Sequence, residues 1–203
     1  NYKKLAKLAL MFNCKYAVIG EKKYFSNLKE ELFGSNIKCL AGYKAICEVS
    51  SLNVDILISA IIGIAGLKPT FSSIGNAKIL AIANKESVIS AGNLLLKKAK
   101  LKKTKIIPLD SEHNAIYQIL QNEYKSSIKN IILTASGGPF LKMDKKNFKN
   151  ITVTDALKHP NWRMGKKITI DSATLVNKVI EVIEASILFG LNLKQIDILI
   201  HPA

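Results

Sequence analysis

Short apolar runs alternate along the whole chain with stretches whose apolar residues recur every three or four positions. Leu5, Leu8, Ala9 and Phe12 fall at helical spacing, and the pattern then tightens into a strand at Tyr16–Ile19. Residues 21–33 read as a helix closed by Gly34, residues 37–40 as a short strand, and Tyr43–Ser50 as a short helix. Val54–Ser59 reads as a buried strand ending at Ala60-Ile61-Ile62-Gly63. Strands follow at 78–83, 105–109 and 130–134, with helices over 85–98 and 111–121. A short helix at 154–158 precedes the break at Pro160. Beyond it, 167–170 reads as a strand, 172–189 as a long helix closed by Gly190, and Ile196–Ile200 as a last strand.

Strands alternating with helices imply parallel βαβ units, hence an α/β sheet with helices on both faces. In such sheets ligands bind beyond the carboxyl ends of the strands. The polar clusters fall there: Asn84-Lys85-Glu86, Asp110-Ser111-Glu112, Ser136-Gly137-Gly138 and Asp171-Ser172. Composition shifts abruptly in the lysine-rich stretch 97–105, which places a domain boundary between 1–104 and 105–203. A solvated helix end accounts for that stretch better than a membrane or nucleic-acid patch.

At 203 residues the chain holds one large domain or parts of two. The longest apolar run, residues 56–67 broken only by Ser59, is short of the roughly 20 residues that a membrane-spanning helix needs. The net charge of +15 changes the picture less than its size suggests, because Arg163 is the only arginine. Scattered lysines supply a phosphate-attracting field rather than bidentate base contacts, so charge alone makes a nucleic-acid module the weaker reading. Three cysteines without a C-x-x-C predict reduced thiols in a cytoplasm-like compartment. The chain opens on Asn1 inside a helical pattern and closes just after a strand, which reads as a sequence cut at both ends.

The candidate chemistry begins at Asp110 and Glu112, two apart at a strand end, where an extended backbone would project both to one side. Such a pair suits a hard divalent cation; the alternative is a helix N-cap. On the helix 172–189, Asn177 and Glu181 stand four apart beside Lys178, while Val176, Val179, Ile180 and Ile183 offer apolar faces for burial. Glu181 is either a third carboxylate of the cluster or half of a surface Lys178–Glu181 pair. Gly137-Gly138 after a strand, with Ser136, reads as a phosphate loop or an ordinary tight turn. Asn84-Lys85-Glu86 opens a helix, an anion-friendly position that is also a plain cap with a solvated lysine. Trp162 and Arg163 share one loop between Pro160 and Gly165, either a lid or a segment folded onto the core. His113 follows Glu112 on a helix, where adjacent positions point apart, so it is assigned no role.

Together, Ala83-Asn84-Lys85-Glu86-Ser87, Asp110-Ser111-Glu112-His113-Asn114-Ala115, Ser136-Gly137-Gly138-Pro139-Phe140, His159-Pro160-Asn161-Trp162, Met164-Gly165 and Asp171-Ser172-Ala173-Thr174 resemble the 1-deoxy-D-xylulose 5-phosphate reductoisomerase family, and Asn177-Lys178 and Glu181 continue the match. The resemblance runs from about Val54 to the C-terminus. It implies part of a Rossmann-like NADPH-binding domain followed by an α/β catalytic domain. The family's glycine-rich phosphate loop and C-terminal helical domain are expected to be missing. The implied activity converts 1-deoxy-D-xylulose 5-phosphate and NADPH to 2-C-methyl-D-erythritol 4-phosphate in isoprenoid synthesis, through carbon–carbon migration or cleavage and re-formation. By resemblance, Asp110, Glu112 and Glu181 hold Mg²⁺ or Mn²⁺, and Ser111 and Lys85 meet the substrate beside them. Ser136, Ser172, Asn177 and Lys178 bind its phosphate end, with His159 nearby. The catalytic group is Lys85, Glu112, His159 and Glu181. Asn84, Glu86 and Gly165 touch the cofactor, Ala60 and Ile61 line its site, and Trp162 and Met164 belong to a flap. A cytoplasmic homodimer acting on a small phosphorylated sugar is expected, with no nucleic-acid or membrane partner; a plastid-type organelle remains open. The rivals are another metal-dependent NAD(P) oxidoreductase and a basic nucleic-acid-binding module.

Overall fold

The computed structural model describes residues 1–122, 127–158 and 164–201. The chain forms two compact units, Asn1–Asn84 with Lys97–Ile106, and Lys85–Leu96 with Ile107–Ala203.

In the first unit α1 (Tyr2–Met11) starts at Asn1, whose side chain accepts from Lys4 N at 3.1 Å. Strands β1 (Tyr16–Ile19) and β2 (Lys38–Ala41) pair in parallel with Tyr16 opposite Lys38. The helix expected over 21–33 is two pieces, a 3-10 turn at Lys22–Tyr24 and α2 (Phe25–Glu31). Beyond them Gly34, at φ +78°, takes the left-handed backbone that ends the segment. After α3 (Tyr43–Ser50), β3 (Val54–Ser59) and β4 (Ala77–Ile82) pair in parallel, and β5 (Lys105–Pro108) continues the sheet in the order β3-β4-β5. Ala6, Ala9, Ala17, Leu28 and Leu32 centre the apolar cluster formed by α1, β1 and α2.

Two expectations fail in this unit. β3 is not buried: Ile56 and Ile58 are 59% and 65% exposed, because β3 is an edge strand of the described sheet. The turn expected beyond it is present, but a helix was not expected to follow. A 3-10 turn at Ile64–Gly66 leads into α4 (Leu67–Ser73), which the pattern did not predict. Pro69 falls in its first turn, where a missing N–H breaks no helical bond, and Thr70 Oγ1 donates back to the Gly66 carbonyl at 2.6 Å.

The second unit takes the first part of α5 (Lys85–Lys102), a helix kinked at Ala91. α6 (Ser111–Ile119) follows, and β6 (Ile131–Ala135) pairs in parallel with β7 (Ile196–Ile200). α7 (Val153–Ala156) opens on a reciprocal cap between Thr152 and Asp155. Ile116, Leu133, Ala185, Phe189 and Ile196 form the core. The strand expected at 167–170 is helical instead, as α8 (Lys166–Ala173). Thr169 N and Oγ1 both donate to the Gly165 carbonyl, at 3.1 and 2.9 Å, and Thr169 and Ala173 bury one side. The single helix expected over 172–189 is broken at Leu175, φ +63°, before α9 (Val176–Phe189) ends at Gly190. Ser172 therefore ends one helix and Asn177 starts the next. β1–β2, β3–β4 and β6–β7 are all parallel, as the alternation of strands and helices implies. No helix among the described residues is long and apolar enough to cross a membrane.

Candidate functional site

β5 delivers Asp110 to the N-cap position of α6, yet its side chain makes no capping bond. The carboxylate instead contacts the ammonium of Lys85, 8% exposed in the first turn of α5. Glu112 lies in the first helical turn rather than on extended backbone, so the two carboxylates are placed by a helix start and not by strand geometry. Both nevertheless meet Glu181 of α9: one oxygen from each of Asp110, Glu112 and Glu181 lies within 4.8 Å of the others.

α9 turns its charged side inward. Lys178, Glu181 and Glu184 are 6%, 1% and 1% exposed, whereas Val176, Val179 and Ile183, expected to be buried, are 46%, 54% and 37% exposed. The surface-pair reading of Lys178 and Glu181 is thereby excluded. Lys178 Nζ lies 2.8 Å from Glu112 Oε1 and 2.6 Å from Glu181 Oε2, bridging the two carboxylates. Lys85 Nζ reaches Glu181 Oε1 at 3.5 Å, and the Asn177 amide donates to the same oxygen.

The electrostatics follow from this pairing. Burial pushes the Glu112 carboxyl up, but hydrogen bonds from Lys178 and Ser111 and the Lys178 charge outweigh it and hold the group below its usual value. Burial lowers Lys178, but hydrogen bonds and charge from Glu112 and Glu181 prevail and raise it. Glu184 is pushed up to about 7, chiefly by burial.

Asp110, Glu112, Lys178 and Glu181 open on a cleft of about 690 Å³, lined also by Ser111, Ser136, Gly137, Met164, Ser172 and Asn177. β6 leads into the 136–138 loop, where Gly137 and Gly138 have φ of +80° and +73°. A Cβ on Gly138 would stand 2.5 Å from the Ser172 carbonyl, so only glycine lets this loop approach the end of α8. Ser111 Oγ donates to Glu112 at 2.7 Å and Ser172 Oγ to the Ile168 carbonyl at 2.8 Å.

The residues expected near the cofactor divide between the units. In the first, Asn84 is buried and donates to the carbonyls of Ile61 and, at 2.9 Å, Gly63, tying down the loop that carries the exposed Ala60 and Ile61. In the second, Glu86 pairs with Lys167 at 2.8 Å and Gly165 precedes α8. His159 and Trp162 lie outside the described residues, whereas Met164 lines the cleft. Sequence reasoning missed His113 and Glu184, both buried against the carboxylates. Their signal was the three-residue spacing of Asp110 with His113 and of Glu181 with Glu184.

Two family models match the chain, the 1-deoxy-D-xylulose 5-phosphate reductoisomerase model over residues 1–92 and the model of that enzyme's C-terminal domain over 106–189. The chain belongs to the 1-deoxy-D-xylulose 5-phosphate reductoisomerase family. It is 50% identical over 203 residues to the reductoisomerase of Wolbachia pipientis subsp. Culex pipiens (strain wPip), covering 100% of this chain and 52% of that one. It is 47% identical over 204 residues to that of Pelagibacter ubique (strain HTCC1062), covering 100% and 53%. A solved reductoisomerase from Zymomonas mobilis in complex with NADPH matches with a TM-score of 0.91 at 42% identity, covering 100% of this chain and 52% of that one. A second, a DOX-P reductoisomerase in complex with NADPH, fosmidomycin and magnesium, also gives 0.91, at 40% identity, covering 99% and 52%. The chain thus spans about half the length of the reductoisomerases it matches, and the resemblance first carried by six short motifs extends over all of it.

Proposed function

We propose that the protein containing this chain converts 1-deoxy-D-xylulose 5-phosphate and NADPH to 2-C-methyl-D-erythritol 4-phosphate with Mg²⁺ or Mn²⁺. The observation that carries this reading is the Asp110, Glu112 and Glu181 carboxylate cluster, opening on the cleft that also holds Ser136, Ser172, Asn177 and Lys178. An all-oxygen donor set fits a hard divalent cation and fits zinc poorly. The solved relatives whose names mention magnesium and NADPH support the same cofactors.

When bound, the metal polarises the substrate's carbonyl and hydroxyl oxygens and stabilises the charge that develops as the carbon skeleton rearranges. The chain's own groups do the rest. Asp110, Glu112 and Glu181 hold the ion, and the ammonium of Lys85 sits among them to meet the substrate oxygens, with Ser111 beside it. Lys178, Asn177, Ser172 and Ser136 take the phosphate dianion, beside the Gly137 backbone that lines the same cleft. By the family resemblance, Ala60, Ile61 and Asn84 of the first unit serve NADPH, as do Glu86 and Gly165 of the second. Met164 lines the cleft, and by the family resemblance it belongs with Trp162 to a flap that would exclude water from the hydride path, while His159 serves the substrate.

Coupled NADPH oxidation by the full chain, with the deoxyxylulose phosphate and with or without Mg²⁺ or Mn²⁺, tests the reading. Absence of turnover in the presence of metal would refute it. Salt-sensitive nucleic-acid binding that ignores metal would instead favour a basic binding module. A cytoplasmic homodimer completes the proposal. Sedimentation of the full chain tests the dimer.

A further inference from the structure

Two buried polar atoms of the second unit face one another without a hydrogen-bond partner: Nδ1 of His113 and Oε2 of Glu184, 3.5 Å apart. Their side chains are 0% and 2% exposed. A buried donor or acceptor left unmatched costs roughly 1–3 kcal/mol. Lys85 Nζ, 3.9 Å from the same Glu184 oxygen, is beyond hydrogen-bond distance, so the two atoms are best matched by each other. The other ring nitrogen shows how. Nε2 lies 2.9 Å from the backbone carbonyl of Glu181, which can only accept, so Nε2 carries the hydrogen. The neutral ring then offers Nδ1 as an acceptor, and Glu184 completes the contact by donating its O–H. Burial, which raises the Glu184 carboxyl and lowers His113, favours that arrangement.

We propose that His113 and Glu184 are positioning residues for the carboxylate cluster: their mutual hydrogen bond fixes the ring that grips the Glu181 backbone, and so sets where the Glu181 carboxylate meets Asp110 and Glu112. The inference rests on the reading of that cluster as a metal site. His113 lies one turn along α6 from Asp110, with Nδ1 3.9 Å from Oδ2, and Glu184 one turn along α9 from Glu181. The pair therefore ties α6 to α9 at the level of the ligand carboxylates. Partners that orient metal ligands in this way are typically worth about 10- to 100-fold in metal affinity.

The test is Mn²⁺ binding to the full chain without substrate, read from the EPR signal of free Mn²⁺. Glu184→Leu fills the space but removes the donor, and should weaken binding by about 10- to 100-fold. Glu184→Gln, whose amide N–H can donate to Nδ1, should restore most of the affinity. A Glu184→Leu, His113→Phe double replacement leaves neither polar atom unmatched, so it should fold while still binding Mn²⁺ weakly. A folded Leu-bearing chain that binds Mn²⁺ as tightly as wild type would overturn the proposal. Failure of both Leu-bearing chains to fold would also overturn it, by making the pair a fold anchor. Asp110→Asn separates the two readings. If wild-type and Asp110→Asn chains bind Mn²⁺ equally, the metal site itself is wrong; if only Asp110→Asn weakens binding, the positioning role alone falls.

Discussion

Glu184 gives the sharpest test of the electrostatics, because its carboxyl is raised from 4.5 to about 7 by burial. The unfolded chain releases this proton near pH 4.5, whereas the folded chain keeps it until about pH 7. Between those values the folded state binds more protons, so its contribution to stability is full below pH 4.5 and lost as pH rises towards 7. At about 1.36 kcal/mol per pH unit, the loss amounts to ~3 kcal/mol by pH 8. Glutamine has no proton to lose. Glu184→Gln should therefore track wild type at pH 4.5 and gain relative to it by ~3 kcal/mol at pH 8, roughly 6–12 °C in Tm for a folding unit of about 200 residues. Thermal scans of the full chain in EDTA at both pH values measure the difference. Parallel Tm curves for wild type and variant would mean that Glu184 is ionised in the folded state, and the assignment of a donated O–H to His113 would be wrong.

Other outcomes follow from the same cluster. Glu181→Gln should cut turnover by at least ~100-fold while leaving NADPH affinity nearly unchanged, since it acts at the carboxylates; near-normal turnover at limiting metal refutes the role. Lys178→Met strips the buried Glu181 and the half-buried Glu112 of their shared ammonium and should destabilise the metal-free chain by ~3 kcal/mol at pH 7. The loss should shrink near pH 4, where protonation neutralises Glu112 in the variant; a pH-independent loss in urea titrations contradicts the pairing. Gly138→Ala must adopt φ +73° and push against the Ser172 carbonyl, so it should cost ~1–3 kcal/mol and raise the KM for the phosphorylated substrate more than that for NADPH. Equal KM values would detach this loop from the phosphate end.

The α/β class was legible because parallel pairing needs only the alternation of apolar runs and amphipathic helices, and that alternation spans the chain. Individual elements were lost where a local signal pointed the wrong way. Ile168-Thr169-Ile170 has strand chemistry, but Thr169 and Ser172 return their hydroxyls to carbonyls four residues back, and the segment is helical. The run through Val54–Ser59 and beyond looked like a buried strand entering a turn because it is apolar. It divides between an exposed edge strand and α4, whose start depends on Pro69 and Thr70 lying in one turn.

The site was legible by type and not by direction. Two carboxylates two residues apart, with an amide and a carboxylate four apart on a later helix, mark a candidate cluster, but their meeting depends on α9 turning Lys178, Glu181 and Glu184 inward and Val179 outward. Apolar periodicity predicts the opposite orientation, since it assumes that the apolar side is the buried one. Here the buried charges are matched by Asn177 and Lys178 on α9 itself and by Lys85 of α5, so their desolvation is offset in part by a partner that no pattern along α9 alone can reveal. His113 escaped for a related reason. Adjacent helical positions do point apart, which separates it from Glu112, but its ring is held by the Glu181 carbonyl and lies 3.5 Å from Glu184. Local propensity and site chemistry thus disagree most on α9, where function and not burial of apolar area decides which side faces in.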